Sequence, residues 1–238
     1  MNIVLFEPHE LRGSQLILTD RRAEHLRQIL KVAKGDQIKV GQLNGLTGLG
    51  QVSELQDEHV LLNLQNLDSP PPPPLRVKVI LALPRPKVLP RALKSLTEMG
   101  VKEIILLNAA KVEKPYWQAQ QLTHPKIEHA LRLGLEQSGD TLLPQVFLQP
   151  RFRPFVEDRL KDFSSGTQGW VAHPYCKQAL LTESNTSQAL TLAIGPEGGW
   201  VDFELSLFEQ QGFKLGHIGP RTLSVTTALI ALLSRVRP

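Results

Sequence analysis

The chain has a single cysteine, Cys176, in 238 residues, which excludes a disulfide framework and any zinc site built on cysteine pairs. Aromatic residues are scarce at 5%, and no apolar run reaches the roughly 20 residues that a membrane-spanning helix needs. The opening Met-Asn-Ile-Val-Leu-Phe-Glu lacks the basic stretch and long apolar core of a secretory signal. A reducing, cytoplasmic setting is the default expectation, with no membrane and no metal. A large excess of one charge is missing too: 27 Lys and Arg face 23 Asp and Glu, for a net charge of +4. With 41% hydrophobic and 21% charged residues, the composition is that of an ordinary globular protein.

The charge that is present is unevenly placed. Residues 21–39 carry Arg21, Arg22, Arg27, Lys31, Lys34 and Lys39 against only Glu24 and Asp36. Residues 75–97 carry Arg76, Lys78, Arg85, Lys87, Arg91 and Lys94 with no acid. Such stretches fit phosphate contacts along an extended ligand, and they fit two solvated surfaces equally well.

Proline divides the chain. Five prolines in a row, Pro70 to Pro74, lack backbone donors and hold φ fixed, so they predict a stiff extended linker at 70–74. Segment 1–69 has short apolar stretches at 15–18, 36–40, 48–52 and 59–64. One helical pattern over 22–30 places Ala23, Leu26 and Leu30 on a common face. Short strands with one helix predict a small β-barrel. Segment 75–238 alternates strand and helix. Strands are expected at 77–83, 104–107, 146–148, 170–172, 190–194 and 213–218. Helices are expected from Pro90 to Gly100, after Pro125, after the 170–172 strand, ending near Gly212, and from about Leu223. That rhythm is an α/β fold with a parallel sheet.

Ligands of open parallel sheets lie beyond the carboxyl ends of the strands. Three such ends carry unusual residues. Ile194-Gly195-Pro196-Glu197-Gly198-Gly199-Trp200 specifies a tight turn with an accessible backbone, and its spacing fits neither a dinucleotide fingerprint nor a phosphate-binding loop. The plain alternative is a strand-to-helix turn with Asp202 as helix cap. Ile218-Gly219-Pro220-Arg221-Thr222-Leu223-Ser224 repeats the Gly-Pro design at the start of the last helix. The third end carries His173, which taken alone reads as a hydrogen-bonded structural histidine.

Together the two Gly-Pro motifs resemble the paired signature of the ribosomal RNA small-subunit methyltransferase E family, in the SPOUT class of trefoil-knotted methyltransferases. Glu136-Gln137-Ser138-Gly139, His25-Leu26 and the stretch 96–101 support the likeness, which covers essentially the whole chain. The resemblance implies an N-terminal PUA-like RNA-binding barrel, a C-terminal parallel-sheet trefoil-knot domain and a homodimer. It implies S-adenosylmethionine held by His173, Ile194, Gly195, Pro196, Glu197, Gly198, Gly199, Ile218, Gly219, Pro220, Leu223, Ser224 and Ala228. The methyl group would pass to N3 of a uridine in small-subunit ribosomal RNA, within the assembled subunit. Arg221 is the candidate stabiliser of the uridine anion, and Glu136 the candidate base or organiser, with an ion-pair role open beside it. Arg21, Arg22, His25, Arg27, Lys31, Arg85 and Lys87 are the candidate RNA contacts.

Four positions depart from the family pattern. Gln28, Asp140 and Ser224 stand where the family has arginine, and Thr226 where it has glutamate. These departures leave open a divergent paralogue that keeps the cofactor pocket but modifies another RNA or has lost catalysis. A Rossmann-like nucleotide enzyme is disfavoured, because no glycine fingerprint follows the first strand of the second segment. The last helix bears Leu223, Leu229, Ile230, Leu232, Leu233 and Val236, more apolar surface than one buried face requires, so it is expected to need cover on more than one side, and the family resemblance implies that a second subunit supplies it.

Overall fold

The computed structural model describes residues 1–180 and 188–236. Contacts divide the chain into two compact units, one of Met1–Pro72 with Arg132–Leu143, the other of Pro73–Leu131 with Pro144–Pro238. The first boundary falls inside the proline run, between Pro72 and Pro73.

The first unit is a six-stranded mixed sheet. Its strands are β1 (Val4–Phe6), β2 (Leu11–Arg12), β3 (Gln15–Leu18), β4 (Gln37–Gln42), β5 (Thr47–Leu55) and β6 (Val60–Ser69), in the order β1-β4-β5-β6-β3-β2. Only β1 and β4 run parallel. Register shifts at Thr47/Gly48, Leu49/Gly50 and Val52/Glu54 curl the long β5–β6 ladder, because each bulge adds local twist. The expected barrel is therefore a curled sheet, with β1 and β2 at its two ends. Alternate residues turn inward: Val4, Phe6, Leu16, Leu18, Val40, Val52, Val60 and Leu62 form its core with Ala23 and Leu26.

The helical pattern at 22–30 is only partly realised. Helix α1 (Arg21–Glu24) is capped by the Asp20 carboxylate, which accepts the Arg22 N–H at 2.9 Å. It runs into a wider π-type turn over His25–Ile29, closed by Leu30 N–H donating to the His25 carbonyl at 3.0 Å. The wider turn carries Leu30 off the apolar face. It is 48% exposed, and Val32 at 8% joins the core in its place.

The second unit is a six-stranded sheet in which every pairing is parallel. Its strands are β7 (Val77–Ala82), β8 (Glu103–Leu107), β9 (Gln145–Gln149), β10 (Gln168–Ala172), β11 (Leu190–Ile194) and β12 (Lys214–Gly216), in the order β12-β10-β11-β7-β8-β9. Each expected strand of this half is present to within a few residues. In β11 all five residues are buried, as required of a strand covered on both faces. Helices α2 (Leu89–Glu98), α4 (Phe152–Asp158), α5 (Leu160–Phe163), α6 (Asp202–Gln210) and α7 (Val225–Leu233) belong to this unit. Helix α3 (His124–Ser138) begins in it, and its residues from Arg132 belong to the first unit. The helix expected after β10 lies partly outside the described residues; through Leu180 the chain makes turns and bends.

Two expectations are corrected here. Asp202 is the first residue of α6 rather than its cap; Val201 holds the cap position, and its N–H is accepted by the Glu204 carboxylate at 3.0 Å. The apolar surface of α7 is mostly covered within the chain. Leu229, Leu232, Leu233 and Val236 are buried, and only Leu223 at 36% and Ile230 at 43% stand exposed. Helix α7 packs on α2, so its apolar face needs no second subunit for most of its area. Among the described residues, no helix is long and apolar enough to cross a membrane.

Candidate functional site

A cleft of about 540 Å³ opens at the carboxyl ends of β10, β11 and β12. Four connections wall it: the segment after β10, the turn between β11 and α6, the segment between β12 and α7 and, through Lys111, the segment after β8. Backbone hydrogen bonds knit the first and third together. His173 N–H donates to the Gly216 carbonyl at 2.9 Å, Leu180 N–H to His217 at 2.8 Å, and His217 N–H to Gln178 at 2.9 Å.

The glycines of the two Gly-Pro turns have separate reasons to be glycine. Gly199 has φ +71° and Gly219 φ +145°, left-handed backbone that disfavours a side chain. At Gly198 the constraint is space: a Cβ would lie 2.8 Å from Lys111 Cδ. Lys111 Nζ donates to the Gly198 carbonyl at 2.7 Å. Around that turn, Glu197 Oε1 accepts the Arg85 N–H at 3.1 Å. The Glu204 carboxylate, on a residue only 2% exposed, accepts Ala110 N–H at 2.7 Å as well as Val201 N–H. The glycine turn is thus tied to the connections after β7 and β8.

The structure brings most of the expected cofactor residues together. His173, Ile194, Gly195, Pro196, Glu197, Gly198, Gly199, Ile218, Gly219, Leu223, Ser224 and Ala228 all line the cleft; Pro220 does not. Arg221 lines it as well, exposed and without an ion pair among the described residues. Sequence reasoning missed Lys111, Trp200, Asp202, Tyr175, Thr222 and Val225 as lining residues. Lys111 comes from the connection after β8, which carries no motif. Trp200 and Thr222 lie within the motifs and the others close beside them, so a rule that every strand-end neighbour lines the cleft would have found them. Burial lowers the His173 pKa against the opposing pull of the Asp202 charge, so the imidazole is neutral at neutral pH. Ser224 caps α7, its hydroxyl accepting the Thr227 N–H at 3.4 Å. Tyr175, 79% exposed, reaches the Thr222 hydroxyl at 3.3 Å.

The remaining candidates are engaged elsewhere. In the first unit Arg21 holds Glu136 with two hydrogen bonds, 2.9 and 2.5 Å, and the Glu136 side chain is 4% exposed. Of the roles open to Glu136, this geometry supplies the ion pair. Arg22 is 12% exposed at its side chain and bonds Glu10, Asp20 and the Leu5 carbonyl. Burial alone would make this guanidinium easier to deprotonate, and the two carboxylates reverse that and raise its pKa. Arg27 donates to the Gln56 carbonyl at 3.0 Å, Lys31 is exposed at φ +51°, and His25 has a buried Nε2 with no partner among the described residues. Arg85 and Lys87 are exposed in the second unit. Asp140 is 3% exposed and its carboxylate accepts the Leu142 N–H at 2.9 Å. Its charge is therefore not displayed on a surface.

A wholly parallel sheet with a glycine-walled cleft at its carboxyl edge defines a small-ligand-binding α/β domain. Comparison with known proteins narrows that class. A family model described as an RNA methyltransferase domain matches residues 71–237, and the chain belongs to that RNA methyltransferase family. It is 28% identical over 243 residues to the ribosomal RNA small subunit methyltransferase E of Treponema pallidum, covering 97% of this chain and 88% of that protein. The Synechocystis protein of the same name is 28% identical over 237 residues, covering 96% of this chain and 75% of its own length. In fold the chain is similar to a ribosomal RNA small subunit methyltransferase E from Neisseria gonorrhoeae, solved bound to S-adenosyl methionine. The TM-score is 0.75 at 19% identity, over 98% of this chain and 95% of that one.

Proposed function

We propose that this chain transfers the methyl group of S-adenosylmethionine to N3 of a uridine in small-subunit ribosomal RNA. The observation that carries the reading is the cleft of about 540 Å³ between two Gly-Pro turns, in a chain of the RNA methyltransferase family. Its size suits a nucleoside-sized ligand. Ile194, Ile218, Val225 and Leu232 supply apolar wall for an adenine ring, and Glu197 and Asp202 supply negative charge toward a cation. The similar proteins are named for small-subunit ribosomal RNA, and one was solved with this cofactor.

The cofactor's sulfonium makes its methyl electrophilic without a metal. The chain's part is to hold the cofactor, orient the acceptor and manage a proton. Backbone groups of 195–199 and 218–223 hold the adenosyl end. Arg221 stabilises the N3 anion of the uridine, whose proton passes to solvent at the open cleft. Glu136 acts as an organiser, ordering Arg21 rather than accepting a proton. Residues 1–69 form the PUA-like RNA-binding domain, 70–74 the linker and 75–238 the trefoil-knot methyltransferase domain. Arg27 and Lys31 in the first unit, with His25, and Arg85 and Lys87 in the second contact RNA phosphates, while Arg21 and Arg22 order the first unit. The active form is a cytoplasmic homodimer, with Ile230 and Leu223 at its interface.

A second reading, methylation of another RNA, is favoured by Ser224. This cleft residue caps a helix where the family motif has an arginine. One experiment separates the two: incubate the full chain with labelled S-adenosylmethionine and unmodified small ribosomal subunits, then map the label by mass spectrometry. Stoichiometric methylation of one uridine at N3 is the expected outcome. No label on the small-subunit RNA overturns the first reading, and label on a different RNA when total cellular RNA is offered in its place establishes the second.

A further inference from the structure

Lys111 belongs to no motif, yet it is the cation most firmly fixed on the cleft wall. Its backbone is held on both sides. Ala110 before it donates to the buried Glu204 carboxylate at 2.7 Å, and Val112 after it is 8% exposed. Its ammonium donates to the Gly198 carbonyl at 2.7 Å, and its stem fills the space that a Cβ on residue 198 would need. An ammonium has three donors, and one carbonyl engages one of them. Lys111 forms no ion pair among the described residues. Glu197, the acid beside its anchor, is turned to the Arg85 N–H.

A pinned, exposed cation with spare donors on a cleft wall is a site for anionic oxygen. Two sources of that chemistry reach such a cleft: an RNA phosphate and the carboxylate of the cofactor's methionine. Exposure of the side chain favours the larger, solvent-borne ligand. We propose that Lys111 binds a phosphate of the acceptor strand and so positions the target nucleotide at the cleft. The proposal rests on the methyltransferase reading above. It also gives the space constraint at Gly198 a purpose, since the bare backbone lets the lysine lie against the turn.

The test uses the full chain with Lys111→Met and Lys111→Arg. Calorimetry gives the affinity for S-adenosylmethionine alone. Fluorescence anisotropy gives the affinity for unmodified small-subunit ribosomal RNA over a range of salt, with and without the cofactor. Loss of one phosphate contact lowers the slope of log affinity against log salt by about 0.7 to 0.9. Lys111→Met is expected to show that drop with cofactor affinity within about twofold of the native chain, and Lys111→Arg to restore the slope. A Lys111→Met chain with an unchanged salt slope overturns the proposal. If its cofactor affinity falls instead, the anion is the carboxylate. Failure of the native chain to bind cofactor refutes the methyltransferase reading alone, because the cofactor-free RNA titration still decides the role of Lys111.

Discussion

Removing Glu204 should loosen the whole glycine turn, because one buried carboxylate holds two connections. It accepts Ala110 N–H at 2.7 Å and Val201 N–H at 3.0 Å, and the residue is 2% exposed. Glu204→Ala strands both donors. At about 1–2 kcal/mol for each partly buried group left unpaired, the cost is about 3 kcal/mol. For a chain of this size, each kcal/mol shifts the melting temperature by about 2–4 °C, so a fall of about 6–12 °C is expected. Glu204→Gln keeps one carbonyl oxygen but turns an NH₂ group toward the second donor, and should lose about half as much. Glu209, exposed on the same helix, is the control: Glu209→Ala should melt within about 2 °C of the native chain. Scanning calorimetry of the three variants measures this ordering. If Glu204→Ala melts with the control, or if Gln and Ala are equal, the carboxylate is not the tie described.

Two pH-dependent predictions follow from other charged groups. Burial pushes the Glu10 and Asp20 carboxyls up, but hydrogen bonds and charge from Arg22 outweigh it and hold both below their ordinary values. Their stabilisation is present above the unfolded pKa and is lost as pH falls through the lower folded one. Urea unfolding from about pH 6 to pH 3 should therefore show falling stability that Arg22→Ala flattens, at a cost of about 2–3 kcal/mol near neutrality; an unchanged pH slope in the variant refutes the pairing. His173 is neutral near pH 7 because burial lowers its pKa, so its protonation adds a cation to a cleft read as holding a cationic cofactor. Affinity for S-adenosylmethionine should weaken only below the ordinary histidine value of about 6.5, and His173→Asn should remove that dependence in calorimetry; a native profile flat down to pH 5, or a variant that keeps the slope, sinks the assignment.

The second half of the chain was readable because its burial pattern is one-dimensional. Strands such as β11, buried at all five positions with Thr191 as its one polar residue, appear as nearly continuous apolar runs, and Gly-Pro at the carboxyl ends of β11 and β12 marks loops that wall the cleft. The first half depends on local irregularity that periodicity does not carry. A single π-type turn moved Leu30 out of the core, and register shifts along β5 and β6 curled the sheet. Contacts distant in sequence were equally silent. Arg21 and Glu136 are 115 positions apart, so their pairing leaves no local trace, and each was read as a functional group in its own right. Lys111 escaped for a related reason: what singles it out is the missing side chain of Gly198, 87 positions away.

The departures from the family pattern take on a different meaning once their contacts are known. Ser224 accepts an N–H at the start of α7, a cap typically worth about 1 kcal/mol that an arginine side chain cannot provide, since it has no acceptor. Asp140 is buried and accepts the Leu142 N–H, so an arginine introduced there would lose that bond and force a cation inside. Both substitutions exchange a mobile charge for local order, and restoring the arginines one at a time would destabilise the chain before it could test the chemistry. The cations left on the cleft wall are Arg221 and Lys111, from connections on opposite sides of the glycine turn. Neither forms an ion pair among the described residues; Arg221 is suited to meet charge that develops on a base, and Lys111, anchored on the Gly198 carbonyl, to hold charge that does not change. A double variant lacking both should therefore lose the chemical step through Arg221 and one phosphate's share of the salt dependence of RNA binding through Lys111, as separable effects. The kcat and the salt slope should each match the corresponding single variant.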